Sequence, residues 1–231
     1  MYESSRLAQI TKEMECYDLG ILGISECRWT GQGRFKTSDG YTVLYSGNNK
    51  NHVHGVAIII RKTEEKSLIE WEPISERIIR ARFNSKYTKM TVIQSYAPTN
   101  EKDQEDKEEF YDALQTEISK TPQHDLLLPM GDMNAKVGKH REGIESVIDS
   151  EGTGETNENG EMLINCCQSN GLVIGGTLFP HKEIHKLTWT SPDGRTKNMI
   201  DHIIINRKWV KSMRNVRVYR RADVGSDHHL L

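Results

Sequence analysis

Residues 125–136 read Asp-Leu-Leu-Leu-Pro-Met-Gly-Asp-Met-Asn-Ala-Lys, and the reading of this stretch decides the fold. The apolar run Leu126–Leu128, entered from a polar segment, has the pattern of a buried strand. It stops at Met130-Gly131-Asp132-Met133-Asn134, where the glycine permits a sharp exit. Asp132 and Asn134 then stand two residues apart, a spacing that puts both side chains on one side of an extended chain. A carboxylate and an amide at a strand's edge suit a hard divalent cation and the phosphate it holds. Asp and Asn also populate turns for local reasons, so the meaning of the motif depends on whether other strands end in matching acids.

The chain has 231 residues, within the range of one large α/β domain, and 35% hydrophobic content, low but compatible with a core at this size. A net charge of -2 excludes neither nucleic acid nor other partners. The distribution says more: nine Lys/Arg and one acid, Asp201, fall between Arg195 and Arg221. A basic segment beside a cluster of acids is what a phosphodiester enzyme needs, and a solvated charged surface accounts for it equally well. No window approaches a transmembrane span, and the N-terminus lacks a signal-peptide core. Cys16, Cys27, Cys166 and Cys167 show no CxxC spacing and fit reduced thiols in an intracellular protein, nuclear or cytoplasmic. Cys166-Cys167 reads as a pair of small apolar residues on a helix. His181 and His185 have the spacing of a helical metal pair, but no third ligand motif accompanies them.

Along the chain, Leu7, Ile10, Met14 and Tyr17 predict a helix over residues 4–17. Residues 18–26 form an apolar strand ending in the acid Glu26. Strands are expected at 41–45, 54–61, 68–71, 78–83 and 90–96, a density that makes an antiparallel meander. Glu101 to Lys120 is an amphipathic helix with Phe110, Leu114 and Ile118 facing in. Residues 138–160 make a long polar loop, and 161–170 a short helix closed by Gly171. Four more strands are expected at 172–174, 187–190, 199–206 and 216–219, and another starts at Ser226–Leu231. A helix preceding the first strand, and a strand starting at the last residues, suggest one domain, 1–231, clipped at both ends.

Acids or acid–imidazole pairs therefore recur at four strand ends: Glu26, Asp132 with Asn134, Asp201-His202 and Asp227-His228. Each alone is ordinary; together, gathered at one end of a sheet, they would make a metal-binding carboxylate nest with an imidazole beside it. The blocks ISECRW (24–29), SYAPT (95–99), GDMN (131–134), NENG (157–160), MIDHI (199–203) and SDHH (226–229) resemble, in order, those of the endonuclease/exonuclease/phosphatase superfamily. The resemblance runs from about Leu7 to the last residue. The wording between the blocks (RWTGQGR, YSGNN, GDMNAKVG, IGGTLFPHKEIHKLTW) resembles the endonuclease domain of non-LTR retrotransposon polyproteins and craniofacial development protein 2-like proteins.

The resemblance implies a four-layered α/β sandwich of the DNase-like superfamily, two packed mixed sheets flanked by helices. It implies Mg²⁺, with Mn²⁺ able to substitute, held chiefly by Glu26 with Asp227 as a further carboxylate. Asp132 would orient or deprotonate the attacking water, with Asn134 beside it. Tyr96 would donate to a phosphate oxygen. His228 would contact the phosphate, held in orientation by Asp201. Asn157 or Asn159 would hold the nucleic-acid backbone, and the basic segment beginning at Arg195 could contact DNA along with Trp29 and Trp189, both of which equally suit core packing. The chemistry is coherent without the name: phosphodiester hydrolysis needs a positioned water, charge neutralisation and directed donors.

Members of the superfamily usually begin with a strand bearing an asparagine beside the metal glutamate, and this chain starts after that point. Three functions follow. The first is a metal-dependent DNA endonuclease that leaves a 3′ hydroxyl, a reverse-transcriptase domain having followed it in a parent polyprotein. The second is a truncated or domesticated remnant acting as a binding module. The third is a phosphatase on inositol lipids or sphingomyelin with the same site.

Overall fold

The structure is a computed structural model, and it describes residues 4–222 and 224–231. Met1–Glu3, on which the expectation of a missing first strand turns, lie outside the described residues. The chain divides into two compact units, Met1–Tyr96 with Gln123–Asp125, and Ala97–Pro122 with Leu126–Leu231.

In the first unit, helix α1 (Ser4–Cys16) buries Ile10, Met14 and Thr11, the face predicted by its apolar spacing. Strands β1 (Ile21–Ser25), β2 (Gln32–Lys36), β3 (Thr42–Ser46) and β4 (Val56–Ile60) form an antiparallel sheet in the order β1-β4-β3-β2. The continuous apolar run of β4 is buried at every position. Strand β2, QGRFK, was not legible in the sequence. It is a largely exposed edge strand without apolar alternation, so the only thing that makes it a strand is pairing with β3.

Strands β5 (Leu68–Ser75), β6 (Ile78–Asn84) and β7 (Lys89–Tyr96) follow as the expected meander. Register shifts in β5 fall between Leu68 and Glu70 and between Pro73 and Ser75, the second beside a residue without an N–H. Within this unit β4 lies against β6 and β7, β3 against β5, and β1 against β7. Val43, Ile58, Ile60, Ile78, Phe83 and Ile93 are all buried there.

The second unit holds helix α2 (Gln104–Lys120), strand β8 (Leu126–Asp132), helix α3 (Glu158–Asn170), β9 (Leu172–Ile174), the short pair β10 (Trp189–Thr190) and β11 (Lys197–Asn198), and β12 (Asp201–Asn206). Phe110, Leu114 and Ile118 of α2 are buried as expected, and α2 packs on α3. Helix α3 begins three residues earlier than its apolar pattern indicates, because Asn157 caps it: its side chain accepts from Gly160 N. Gly171 closes it in the left-handed conformation at φ 61°. Cys166 and Cys167 lie buried on this helix, all four cysteines are unpaired thiols, and burial pushes Cys166 up to about 11.

Strand β12 is the hinge of the site. Its first half pairs antiparallel with the end of β8, and its second half with β9. Asp201 therefore stands at the start of its strand, not at the end. Antiparallel pairing carries it to the place where β8 ends, directly opposite Asp132. Residues 216–219, expected as a strand, are irregular: Val218 N donates to His185 O, and Tyr219 makes a single bridge to Leu230. Residues 226–231 are likewise attached by single bridges. The described residues thus form two main β-sheets, besides the short β10–β11 ribbon, flanked by helices, the DNase-like architecture expected from the motifs. No described helix is long and apolar enough to cross a membrane.

Candidate active site

In the second unit the sequence motifs GDMN, MIDHI and SDHH meet. The carboxylates of Asp132 and Asp201, opposite each other across β8 and β12, point to the same side of the pair. Two like charges in that relation repel, and His228 relieves them. Its Nδ1 lies 2.9 Å from Asp201 Oδ2 and its Nε2 lies 3.9 Å from Asp132 Oδ2. Burial alone would lower the imidazole's pKa. The Asp201 hydrogen bond and the charges of Asp201, Asp132 and Asp227 outweigh burial and hold it at about 9. At neutral pH an imidazolium therefore lies between the two aspartate side chains.

The segment bearing His228 is held against residues 188–190. Thr190 N donates to Asp227 O, and His229 N donates to Thr188 O. The buried Thr188 hydroxyl in turn accepts from the backbone N–H of Ile200 and Asp201, each at 3.1 Å. The Trp189 indole N–H donates to Asp227 Oδ2 at 2.9 Å. Trp189, read from sequence as either a DNA contact or core, is the partner of the Asp227 carboxylate.

The loop after β8 is fastened residue by residue. Asn134 adopts φ 47°, so the Asp132–Asn134 spacing is a local turn and not a continued strand: Asn134 N donates to Asp132 Oδ1 at 2.9 Å. The Asn134 amide donates to Ala97 O, and His202 Nε2 lies 2.7 Å from Ala135 O. Asn157 accepts from Lys136 N and donates to Asn134 O while capping α3. Asn159, fully buried, donates to Pro98 O and to Asn134 O. Both asparagine side chains are thus engaged with the backbone of the site. The NENG glycine has a matching reason: a Cβ on Gly160 would sit 1.9 Å from Lys136 O. His202 is buried and neutral, its pKa lowered by burial, and it too holds the loop. These three supports were visible in the sequence as polar residues of the motifs, but not as fasteners.

In the first unit Glu26 and Tyr96 meet. Glu26 lies just past β1 at φ 52°, and Tyr96 ends β7. The Tyr96 hydroxyl donates to Glu26 Oε1 at 2.6 Å, and Arg28 donates to Oε2 at 3.0 Å. The Glu26 side chain retains 41% exposure, leaving its carboxylate reachable from solvent. Trp29 packs edge-on against Phe35 and Tyr45. Arg195, in the turn between β10 and β11, is 87% exposed, with its guanidinium 3.9 Å from Asp193. His181 and His185 do not form a metal pair: one is bonded to Asn215, the other to Val218 O.

Among the described residues, Asp132, Asp201 and His228 offer three ligand atoms within 4.8 Å of one another, a group that could hold a metal ion. An imidazolium has no lone pair to offer, so such an ion would have to displace the His228 proton. Glu26 in the first unit is a partly exposed carboxylate, and Asp227 in the second accepts from Trp189 through Oδ2; taken singly, each is an oxygen donor of the kind a hard cation takes.

The fold, sheets flanked by helices, is shared with solved DNase-like nucleases and a DNA 3′ phosphatase. Solved structures with this fold include the endonuclease domain of TRAS1, a telomere-specific non-LTR retrotransposon (TM-score 0.70, 16% identity, covering 98% of this chain and 90% of that one). They include also a 3′ phosphatase, NExo, from Neisseria bound to product DNA hairpin (0.69, 20%, 98% and 92%) and an AP endonuclease from Archaeoglobus fulgidus (0.68, 19%, 97% and 92%). In sequence the chain is similar to Craniofacial development protein 2 of Bos taurus, 40% identical over 226 residues, and to that of Tragulus javanicus, 39% identical. The alignments take in 98% of this chain, which spans 38% and 39% of those relatives' lengths. No known family profile matches the sequence.

Proposed function

We propose that this chain is a metal-dependent endodeoxyribonuclease that nicks one DNA strand and leaves a 3′ hydroxyl. The observation that carries the reading is the Asp132–His228–Asp201 cluster. An imidazolium held between two carboxylates on rigid strand ends is a preorganised cation for a phosphoryl oxygen. Asp201 fixes its orientation through Nδ1, which directs the Nε2 proton toward the Asp132 side. Asp132 takes the proton of a water whose oxygen attacks phosphorus as the bond from phosphorus to the 3′ oxygen breaks. That oxygen takes up a proton from solvent water and leaves as a hydroxyl, and the phosphate stays on the 5′ end. Asn134, tied to Asp132 by its own backbone N–H, sets the second polar group of the turn beside the reacting phosphate.

Glu26, with the Tyr96 phenol bonded to one of its oxygens, is the residue proposed to hold Mg²⁺. When bound there, Mg²⁺ would supply charge neutralisation on the phosphoryl group. Arg195 and the other cations of residues 195–221 contribute sequence-independent attraction to the phosphate backbone. Among the described residues, Lys208, Lys211, Arg214, Arg220 and Arg221 form no ion pair with a carboxylate, which leaves them suited to that task.

The test is nicking of supercoiled plasmid by purified protein with Mg²⁺, with EDTA and Glu26→Ala as controls. Nicks that disappear in both controls and present extendable 3′ hydroxyls support the reading. Folded protein that leaves plasmid intact refutes it. A 3′-phosphorylated oligonucleotide in parallel separates strand nicking from terminal phosphate removal, the activity that gives one of the fold neighbours its name.

A further inference from the structure

Arg77 carries no motif and was not singled out by the sequence, yet it touches Tyr96 from three directions. Its Nη1 donates to Tyr96 O at 3.1 Å, and its own carbonyl accepts from Tyr96 N at 2.9 Å. Its guanidinium lies over the Tyr96 ring, 5.2 Å from the centroid. The remaining arm, Nη2, reaches His54 Nε2 at 3.2 Å, and the His54 ring stands 5.9 Å from the same phenol. Glu76, bonded to Asn48, lies 3.7 Å from His54 and closes the frame. Beneath it, Ser25 donates to Ser95 O, which ties the residue before Glu26 to the residue before Tyr96.

A phenol at a strand end has two torsions to lose. The ladder fixes the Tyr96 backbone, but the direction of the ring is set by what lies on its faces. Arg77 covers one face with a planar group that cannot be deprotonated, and it holds both ends of the residue's own peptide. Lysine cannot make these contacts at once, since it presents a single point charge in place of a planar fork.

We propose that Arg77 is a positioning residue that aims the Tyr96 hydroxyl at Glu26, and through that bond sets how the Glu26 carboxylate is presented. The effect on catalysis rests on the roles proposed above for Glu26 and Tyr96; the effect on Tyr96 itself does not. Two measurements separate them. In metal-free protein labelled with 3-fluorotyrosine, the Tyr96 ¹⁹F resonance is assigned by its loss in Tyr96→Phe. Arg77→Lys, and Arg77→Gln as a second variant, should move that resonance beyond its linewidth. The other tyrosines should stay in place. A Tyr96 resonance unmoved in both folded variants overturns the proposal.

In the plasmid assay, Arg77→Lys should lower kcat by roughly tenfold to a hundredfold with KM little changed, the scale of a misplaced catalytic group. The loss in Arg77→Lys/Tyr96→Phe should not exceed that in Tyr96→Phe alone. Losses that multiply would mean that Arg77 acts elsewhere, and would also overturn it. Absence of nicking by the wild-type protein would sink the endonuclease reading, and the ¹⁹F result would still decide what Arg77 does.

Discussion

Replacing Arg82 by Met tests the energetics of the first unit at one buried ion pair. Asp125 is 4% exposed at its side chain and is bound by Arg82 through two bonds, Nε to Oδ2 at 2.7 Å and Nη2 to Oδ1 at 3.1 Å. Thr91 adds a third bond at 3.0 Å. Removing one partner of such a pair leaves an uncompensated buried charge and costs about 3–5 kcal/mol. For a chain of this size about 2–4 °C of melting temperature goes with each kcal/mol, so the loss is roughly 6–20 °C. The double variant Arg82→Met/Asp125→Leu should recover most of it, because the stranded carboxylate is then gone.

Acid gives the same argument a sign. Burial alone would raise the Asp125 pKa. The Arg82 and Thr91 hydrogen bonds, with the charges of Arg82 and Lys89, outweigh burial and hold it below the usual carboxylate range. A folded pKa below the unfolded one lends stability that is present above the unfolded value, about 3.9, and is lost as pH falls through the folded value. In Arg82→Met only burial remains dominant, the folded pKa rises, and protonation relieves the buried charge. The gap between wild type and variant should be widest near neutral pH and narrow in acid, measured by calorimetry across a pH series. A cost near that of a surface pair, under about 1 kcal/mol, or a gap that is constant through the acid range, would refute the reasoning.

Asp201→Asn should leave the fold intact and lower nicking by roughly 10²–10⁴-fold, because His228 loses the charged partner that orients it; steady-state rates on plasmid check this, and a loss below tenfold would contradict it. Gly160→Ala forces a methyl to within 1.9 Å of the Lys136 carbonyl. It should destabilise by about 1–3 kcal/mol or more, read from urea unfolding, with a parallel fall in activity as the loop carrying Asn134 shifts. Trp189→Phe removes the indole N–H from Asp227 while keeping an aromatic ring. The bond is solvent-exposed, so the expected cost is about 1 kcal/mol in thermal unfolding, and an unchanged midpoint would show that Asp227 finds another donor.

The elements with strong periodicity were legible in sequence. The buried run of β4, the inward face of α2 and the helix closed by Gly171 follow from apolar spacing and one glycine, and all depend on local physics. Strand β2 did not, because an exposed polar edge strand carries no signal until its partner is in place. The expected strand at 216–219 failed for the converse reason: an apolar alternation found no neighbouring ladder to extend.

The site divides along the same line. Residue type at the strand ends singled out Glu26, Asp132, Asn134, Asp201, Asp227 and His228 as the polar groups to watch, and the family resemblance added Tyr96. Their pairing came only from the tertiary structure. Antiparallel register puts Asp201 opposite Asp132, though it begins its strand. The turn at Asn134, and not a continued strand, binds that residue to Asp132. Asn157, Asn159 and His202 read as candidate contacts or bystanders, and the fold uses each to hold the loop between them. Trp189 read as a DNA contact or as core, and Arg77 carried no signal, because a residue that acts by touching another acquires its role from contacts between segments distant in sequence. Local spacing indicated most of the helices and strands, and the motifs named the candidate polar groups; strand register and side-chain packing, which depend on the whole chain at once, decided which of those side chains meet.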